Sequence, residues 1–509
     1  MKKTLLSVFS LFPMLIISAQ QDVLWETSIG GKHSEYLYNT ISTPDYGFLL
    51  LGSSFSDVSG NKTKQNQGGL DYFIWKVNEE GKQEWQQSFG GNGNDFLTSG
   101  ALTKDGGYIL GGYTDSSKSG DKTENNIGLT DYWILKLDAI GTIQWQKTIG
   151  GLGYDELVSI IQTQDGGYLL GGNSDSPKSN IKTEKNIGGK DYWIVKLDSK
   201  GNIEWDRTLG GENTDELKSI IETKESYILL GQTNSIDENN QFNDFDIEAI
   251  QLNKNGEILK KIRFGENQED LFSSVYFDTE NQEIHLAGLF SKEDKKDLKI
   301  IRLDTALTQK SESITEIDNN QIINNLILTK EKEYLLAGSK LDYSVNNNIQ
   351  QQISSYQTMT LSQSGENVWS KEFKNSGFDY LQTAFQTRDG SIILIGNSDS
   401  KTSHNKTSES QGQQDFWIVK LGNKETLNSH NRKYIEAYPN PTSDYVNILI
   451  NQEFKQAKGA IYNLTGQLLQ EFDIKYRTTP LNINNYPIGV YIIKLQIDQQ
   501  QQNIKIIKK

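Results

Sequence analysis

The chain contains no cysteine, which excludes disulfides, thiol catalysis, cysteine-ligated metals and a lipidated cysteine. Its 4 histidines, His33, His285, His404 and His430, fall in unrelated contexts, so no metal triad or Ser-His-Asp arrangement is spelled out. Proline is scarce, with 7 in 509 residues, and arginines are few and scattered. No glycine loop of the phosphate-cradling kind precedes a helix, and amphipathic helical spacing is hard to find. Basic charge is in deficit: 51 Lys and Arg face 66 Asp and Glu, a formal charge of −15. Such a surface disfavours nucleic acid and anionic membranes and is compatible with proteins, sugars and cations.

Long apolar runs are missing as well, so no transmembrane segment is expected. The one apolar stretch, Leu5 to Ile17, is too short for a comfortable span. Lys2 and Lys3 precede it and Ile17-Ser18-Ala19 follows, which reads as a signal peptide over residues 1–19.

What the chain has in abundance is glycine, polar turn residues and aromatics, arranged in a unit of about 60 residues that recurs seven times. Its marker is D-[YF]-[FW]-I, at Asp71-Tyr72-Phe73-Ile74, Asp131-Tyr132-Trp133-Ile134, Asp191-Tyr192-Trp193-Ile194 and Asp415-Phe416-Trp417-Ile418, with weaker copies near Asp246, Asp297 and Tyr356. Each unit splits into four strand-like pieces. In the second copy these are Phe96 to Thr103, Tyr108 to Gly112, Tyr132 to Leu137 and a piece around Trp145 ending at Gly150-Gly151. Second strands end near Gly52, Gly112, Gly172, Gly231, Gly288, Gly338 and Gly396, which counts seven units. An orphan fourth strand, Trp25 to Gly31, opens the chain, and an orphan third strand, Phe416 to Leu421, closes the repeat. A first strand that completes the last sheet leaves no open edge. The expected fold is all-β: a seven-bladed β-propeller of four-stranded blades over residues 20–421, locked by its N-terminal strand.

The turn L-D-x-x-G-x-x-x-W, at Leu137 to Trp145 and Leu197 to Trp205, resembles the tryptophan-docking repeats of quinoprotein and outer-membrane-assembly propellers. The resemblance implies fold only. Quinoprotein enzymes have vicinal cysteines that this chain lacks, and the arginine triad of sialidases has no counterpart, so no cofactor is carried over.

After Leu421 the repeat stops. Residues 422–434 read as a polar linker, followed by Ala437-Tyr438-Pro439-Asn440-Pro441-Thr442-Ser443-Asp444, Ile461 to Gln467, Ile488 to Lys494 and a terminal Ile504 to Lys509. Residues 435–509 resemble the type A C-terminal sorting domain of the type IX secretion system of Bacteroidetes. The quoted motif residues are Pro439, Asn440, Pro441, Gly466, Gly489 and Lys494. The segment itself reads as a small β-sandwich, with Gly466 and Gly489 at hairpins. The resemblance implies the export machinery as a partner, passage across the outer membrane, removal of the domain and a secreted or surface-attached product.

Two constellations could carry chemistry. Eight residues before the Thr that ends each first strand stand Glu35, Asp95, Asp155, Asp215 and Asp379, with Asp270 near the equivalent point of the fifth copy and Gln321 in the sixth. They could form a carboxylate ring at the channel mouth, for which calcium is the natural cation, or each could cap backbone amides in its own turn. Lys62, Lys122, Lys182 and Lys406, each followed by Thr, recur in the long second-to-third-strand loop of copies one, two, three and seven. Asp115, Asp175 and Asp399 recur earlier in the same loops. Ring closure makes these four copies one contiguous arc, suited to docking a partner or to covering the blade tops. The tryptophans on third and fourth strands read as core between blades. Asp304-Thr305-Ala306 resembles the O-glycosylation site of Bacteroidetes.

The functional expectation is a monomeric, non-catalytic binding or scaffold module for a glycan or protein ligand. The alternative is a carbohydrate-active hydrolase or lyase drawing an acid and a base from the carboxylate ring.

Overall fold

A computed structural model describes residues 21–236, 244–265, 268–292, 295–346, 349–387, 389–403, 405–423, 434–438, 440–442 and 445–509. The signal peptide, most of the linker, His404, His430, Pro439, Ser443 and Asp444 lie outside the described residues.

Seven four-stranded antiparallel sheets follow one another along the chain. The second blade is typical, with strands Asp95–Leu102, Tyr108–Thr114, Asp131–Leu137 and Ile143–Ile149. Its first and third strands each begin one residue earlier than the sequence suggests, at the aspartate. The last sheet is completed by Asp22–Ile29, which pairs with Asp415–Gly422 from Asp22 opposite Gly422 to Ile29 opposite Phe416. The ring therefore closes through its N-terminal strand.

In blades one, two, three and seven the third strands are buried along their whole length, as in Asp131–Leu137 and Asp191–Leu197. Side chains on successive residues face opposite sides of a sheet, but each sheet is covered on both sides by its neighbours. That is why Tyr132-Trp133-Ile134-Leu135 can be apolar without interruption. Outer strands such as Ile143–Ile149 contact neighbours only in part and are correspondingly polar.

The core is divided into seven apolar clusters, each shared between adjacent blades. Between blades two and three, Tyr132 and Trp193 meet with ring centroids 5.0 Å apart, and the Tyr132 hydroxyl donates to the Trp193 carbonyl at 3.1 Å. The same bond joins Tyr72 to Trp133 and Tyr356 to Trp417. Near the ends of the matching second strands, a side chain on Gly112, Gly172 or Gly396 would strike the first-strand carbonyl of Phe96, Glu156 or Tyr380 and then the neighbouring blade's tyrosine hydroxyl. Buried aromatic pairs of this kind are worth about 0.5–1.5 kcal/mol beyond the area they bury. Every first strand carries a β-bulge, which strengthens its twist beside the channel.

The fourth-strand tryptophans pack against the clusters between blades from their outer side. Trp25, Trp85, Trp145 and Trp205 are only half-buried. Each lies against the turn glycine of the next blade, Gly81, Gly141, Gly201 and Gly256. They are clamps on the outer wall.

The C-terminal region forms a three-stranded and a four-stranded sheet around one core that includes Val446, Ile448, Ile461, Ile493 and Ile506. Gly466, at φ 84°, turns the Ala457–Asn463 and Leu468–Ile474 hairpin. Gly489 is not at a hairpin: it opens strand Gly489–Ile497, where the chain crosses from one sheet to the other.

Candidate functional site

Two faces of the ring carry repeated charges, and they are built differently. On the face of the short turns, the lysine of each marker meets the aspartate of a D-G-G-type turn. Lys136 Nζ lies 2.8 Å from Asp105 Oδ2, Lys196 Nζ 3.0 Å from Asp165 Oδ2, and Lys420 Nζ 3.0 Å from Asp389 Oδ2. Although burial opposes it, the bonds from Thr163, Gly167 and Lys196 take Asp165 down to about 2, and Asp105 and Asp389 move the same way. Each of these lysines meets its turn aspartate directly, as an ion pair.

On the face of the long loops the ratio is two carboxylates to one lysine. The ring residues Glu35, Asp95, Asp155, Asp215, Asp270 and Asp379 are fully buried. Asp155 Oδ2 accepts Gly151 N at 2.6 Å and Ser176 Oγ at 2.8 Å; Asp215 Oδ2 accepts Gly211 N at 2.7 Å and Ser235 Oγ at 3.1 Å. Asp95 accepts Gly91 N, Glu35 accepts Gly31 N, Asp379 accepts Asn375 and Ser400, and Asp270 accepts Ser291 N. Gln321 instead bonds Gln357. The ring carboxylates thus hold the loop that enters each first strand. Among the described residues no group of three or more His, Asp or Glu stands together to hold a metal ion.

Lys62, Lys122, Lys182 and Lys406 are buried too, at 0–2% exposure. Lys122 Nζ donates to Glu124 O at 2.7 Å and Thr148 Oγ1 at 2.8 Å, and Lys182 Nζ to Thr208 Oγ1 at 2.7 Å. Lys62 reaches Ser56 O, and Lys406 reaches Ser400 O and Ser398 Oγ. Each faces the ring carboxylate and the third-strand aspartate of its own blade: Asp95 and Asp131 for Lys122, Asp155 and Asp191 for Lys182. Burial lowers the pKa of all four. Asp115, Asp175 and Asp399 cap Asn94, Tyr154 and Phe378 amides at 2.5–2.7 Å. His285 is likewise internal, with Nδ1 2.9 Å from the Tyr334 hydroxyl.

The third-strand aspartate explains the Gly-Gly of the repeat. Asp131 Oδ2 accepts Ile127 N, and its Oδ1 lies against Gly150, where any side chain would collide with it. Asp71 with Gly90, Asp191 with Gly210 and Asp415 with Gly30 repeat the arrangement.

With the repeated charges internal, the exposed side chains define what the long-loop face presents. Ile127, Leu129, Leu152 and Tyr154 are 37, 54, 64 and 44% exposed. They are neighbours across the junction of blades two and three: Leu129 N donates to Gly153 O at 3.0 Å, and Thr130 bridges Tyr154. Equivalent positions at the preceding junction are Gln67, Gly69, Asn92 and Asn94. At the following one they are Ile187, Gly189, Glu212 and Thr214, and where the ring closes they are Gln411, Gln413, Lys32 and Ser34. This patch was not among the residues singled out in the sequence. Its signal was available there as a departure from the repeat at loop positions.

A cavity of about 930 Å³ lies elsewhere, between the turn face and the C-terminal sheets. Trp85, Tyr108 and Ile140 line one side and Phe454, Tyr476 and Arg477 the other. Thr478 Oγ1 donates to Asp45 Oδ2 at 2.8 Å across this seam, and Tyr46 donates to Glu436 at 2.6 Å. In the C-terminal domain Asn440 pairs with the last strand through Lys505 O and Ile507 N, Pro441 follows it, and Lys494 Nζ lies 4.7 Å from the centre of the Tyr462 ring.

No curated protein matches the chain. Solved structures similar to it include the Neurospora crassa Pan2 WD40 domain, at 9% identity and TM-score 0.42, covering 76% of this chain and 89% of that one. Drosophila Semaphorin 2a is similar at 8% identity and TM-score 0.44, covering 93% and 96%. The blade count rests on the strand pairing of this chain itself. Residues 436–509 match the family described as the secretion system C-terminal sorting domain. The chain is therefore a propeller-like protein of seven four-stranded sheets whose C-terminal segment belongs to the type IX secretion sorting-domain family, which marks it for secretion or the outer cell surface.

Proposed function

We propose that the exported propeller is a non-catalytic binding module that takes a protein ligand on its long-loop face. The observation that carries this reading is the break in the repeat at Ile127, Leu129, Leu152 and Tyr154. Features that serve the fold recur with the fold, as Ile127 does in Ile187, whereas Leu129, Leu152 and Tyr154 have no apolar counterparts at the neighbouring junctions and gather with Ile127 at this one. Three aliphatic chains beside one tyrosine suit an apolar anchor of a polypeptide, since sugar rings select flat aromatic faces. The burial of the ring carboxylates and the loop lysines supports a role without catalysis, because a substrate needs an acid or base it can reach.

The test is a pulldown of extracellular and surface proteins with the full chain, run beside a glycan array, with wild type and a Leu129→Asp/Leu152→Asp variant. Saturable protein capture that the variant loses supports the reading. Capture unchanged by the variant, or binding confined to glycans, overturns it. Release of product from a bound polysaccharide would put the hydrolase or lyase reading in its place.

A further inference from the structure

At four junctions a third-strand aspartate faces the first-strand carboxylate of the next blade: Asp415 and Glu35, Asp71 and Asp95, Asp131 and Asp155, Asp191 and Asp215. A methyl group on Gly210 would collide with Asp191 Oδ1 and Asp215 Oδ2 together, and one on Gly30 with Asp415 Oδ1 and Glu35 Oε2. All eight side chains are fully buried. The Oδ2 atoms of Asp71, Asp191 and Asp415 accept the Gln67, Ile187 and Gln411 amides at 2.6 Å, and that of Asp131 accepts the Ile127 amide. Their Oδ1 atoms have no hydrogen-bond donor, and neither have Oδ1 of Asp155 and of Asp215 across two of the junctions. A buried carboxylate oxygen facing another carboxylate without a donor is among the costliest arrangements in a protein interior.

Charge balance on the loop face is also incomplete. Asp71 is faced by Asp95, Lys62 and Asp121, Asp131 by Asp155 and Lys122, Asp191 by Asp215 and Lys182, and Asp415 by Glu35 and Lys406. The first-strand partners receive peptide N–H and serine or threonine hydroxyl groups, which for Glu35, Asp95 and Asp155 work against the burial that raises them. The neutral partner is then the third-strand acid.

We propose that these four aspartates carry a proton on Oδ1 and share it with the facing carboxylate of the next blade, making the long-loop arc a proton-dependent lock. The proton is the neutraliser that fits, because Oδ1 packs directly against a glycine and, among the described residues, no three His, Asp or Glu side chains are grouped so as to hold a metal ion, even where Asp121 stands beside Asp71 and Asp95. Burial pushes Asp71 up to about 7 and Asp131 up to about 6, and moves Asp191 and Asp415 in the same direction. An acid whose folded pKa is raised contributes stability that is complete below the unfolded value near 4 and is lost as pH rises through the folded one. The stabilisation therefore declines as pH rises above about 4 and is exhausted above about pH 7, once Asp131 and then Asp71 have lost their protons. The loosening reaches the loops whose amides these aspartates anchor, whatever the face binds.

The experiment is thermal unfolding of the full chain from pH 5 to 8.5, for wild type and for Asp131→Asn/Asp191→Asn. The asparagine amide donates where the shared O–H donates. The wild-type midpoint should fall by several degrees across the interval, and the double variant should lose about half of that fall. Equal slopes for the two proteins overturn the proposal. A wild-type slope abolished by calcium at high pH also overturns it, in favour of a cation at the junctions. If the variant does not fold, infrared spectroscopy of the wild type decides. A protonated-carboxyl band present at pH 6 and gone by 8.5 supports the lock, and its absence at pH 6 overturns it.

Discussion

The indole of Trp145 lies over Gly201 of the following blade, so close that a Cβ there would sit 3.1 Å from the ring. Gly201 also holds φ at 82°, in the left-handed region that costs an L side chain about 1 kcal/mol or more. Two requirements, conformational and steric, thus meet at one residue. Gly201→Ala should destabilise by about 2–3 kcal/mol, with the steric part lost when Trp145 is already alanine. A double-mutant cycle by urea unfolding measures that coupling, and strict additivity would show that the clamp carries none.

The turn-face ion pairs predict the opposite pH behaviour to the junction aspartates. Asp105 and Asp165 are depressed in the folded state, so their contribution is present above the unfolded carboxylate value and is lost as pH falls through the folded one. In Lys136→Met the aspartate keeps its charge and loses its partner. The variant should be destabilised by about 3 kcal/mol at neutral pH and by less near pH 3, a convergence that chemical denaturation at the two pH values would reveal.

Gly150 is present for the sake of Asp131. Gly150→Ala should cost about 2–4 kcal/mol, because the methyl must displace a buried carboxylate oxygen. Gly166, which has nothing near it, should accept a side chain's volume and pay only for its φ of 89°. Midpoints for the two alanine variants in urea should therefore differ clearly, with Gly150→Ala the lower.

Removing the inter-blade hydroxyl in Tyr132→Phe leaves the ring stack with Trp193 and deletes one buried hydrogen bond. The expected loss is about 1 kcal/mol. Hydrogen exchange should show faster opening at the blade two and three junction and no change across the ring, where other tyrosines hold their own junctions.

The period of the repeat and the strands left over at its two ends were enough to read seven blades and their closure, because both follow from counting. The aromatic positions followed from alternation. Lysine 122 was different. It stands among Gly, Asp, Thr, Glu and Asn, a composition that reads as solvent-exposed loop, yet the loop folds back and puts its Nζ between buried carboxylates. Composition reports what a segment can solvate, not which way it turns. The Gly-Gly at residues 150 and 151 was legible as a turn, but its first glycine answers to a carboxylate nineteen residues upstream, a contact that only the packed sheet creates. Exposed apolar residues such as Leu152 were overlooked because attention went to what recurs, whereas the binding surface proposed here lies in what does not.

Asp22 and Gly422 sit opposite each other on paired strands, so the chain enters and leaves the ring at one place. Folding has the harder task, because the final clasp joins segments about 400 residues apart, and contacts of such long range form late. Until it forms, blade seven presents the bare edge of its strand Asp415–Gly422. Processing has the easier one: a sorting domain that departs beside the clasp can be severed without unpicking a strand. The architecture thus joins the chain's delivery label to its working part by one covalent connection and the hydrogen bonds of the seam.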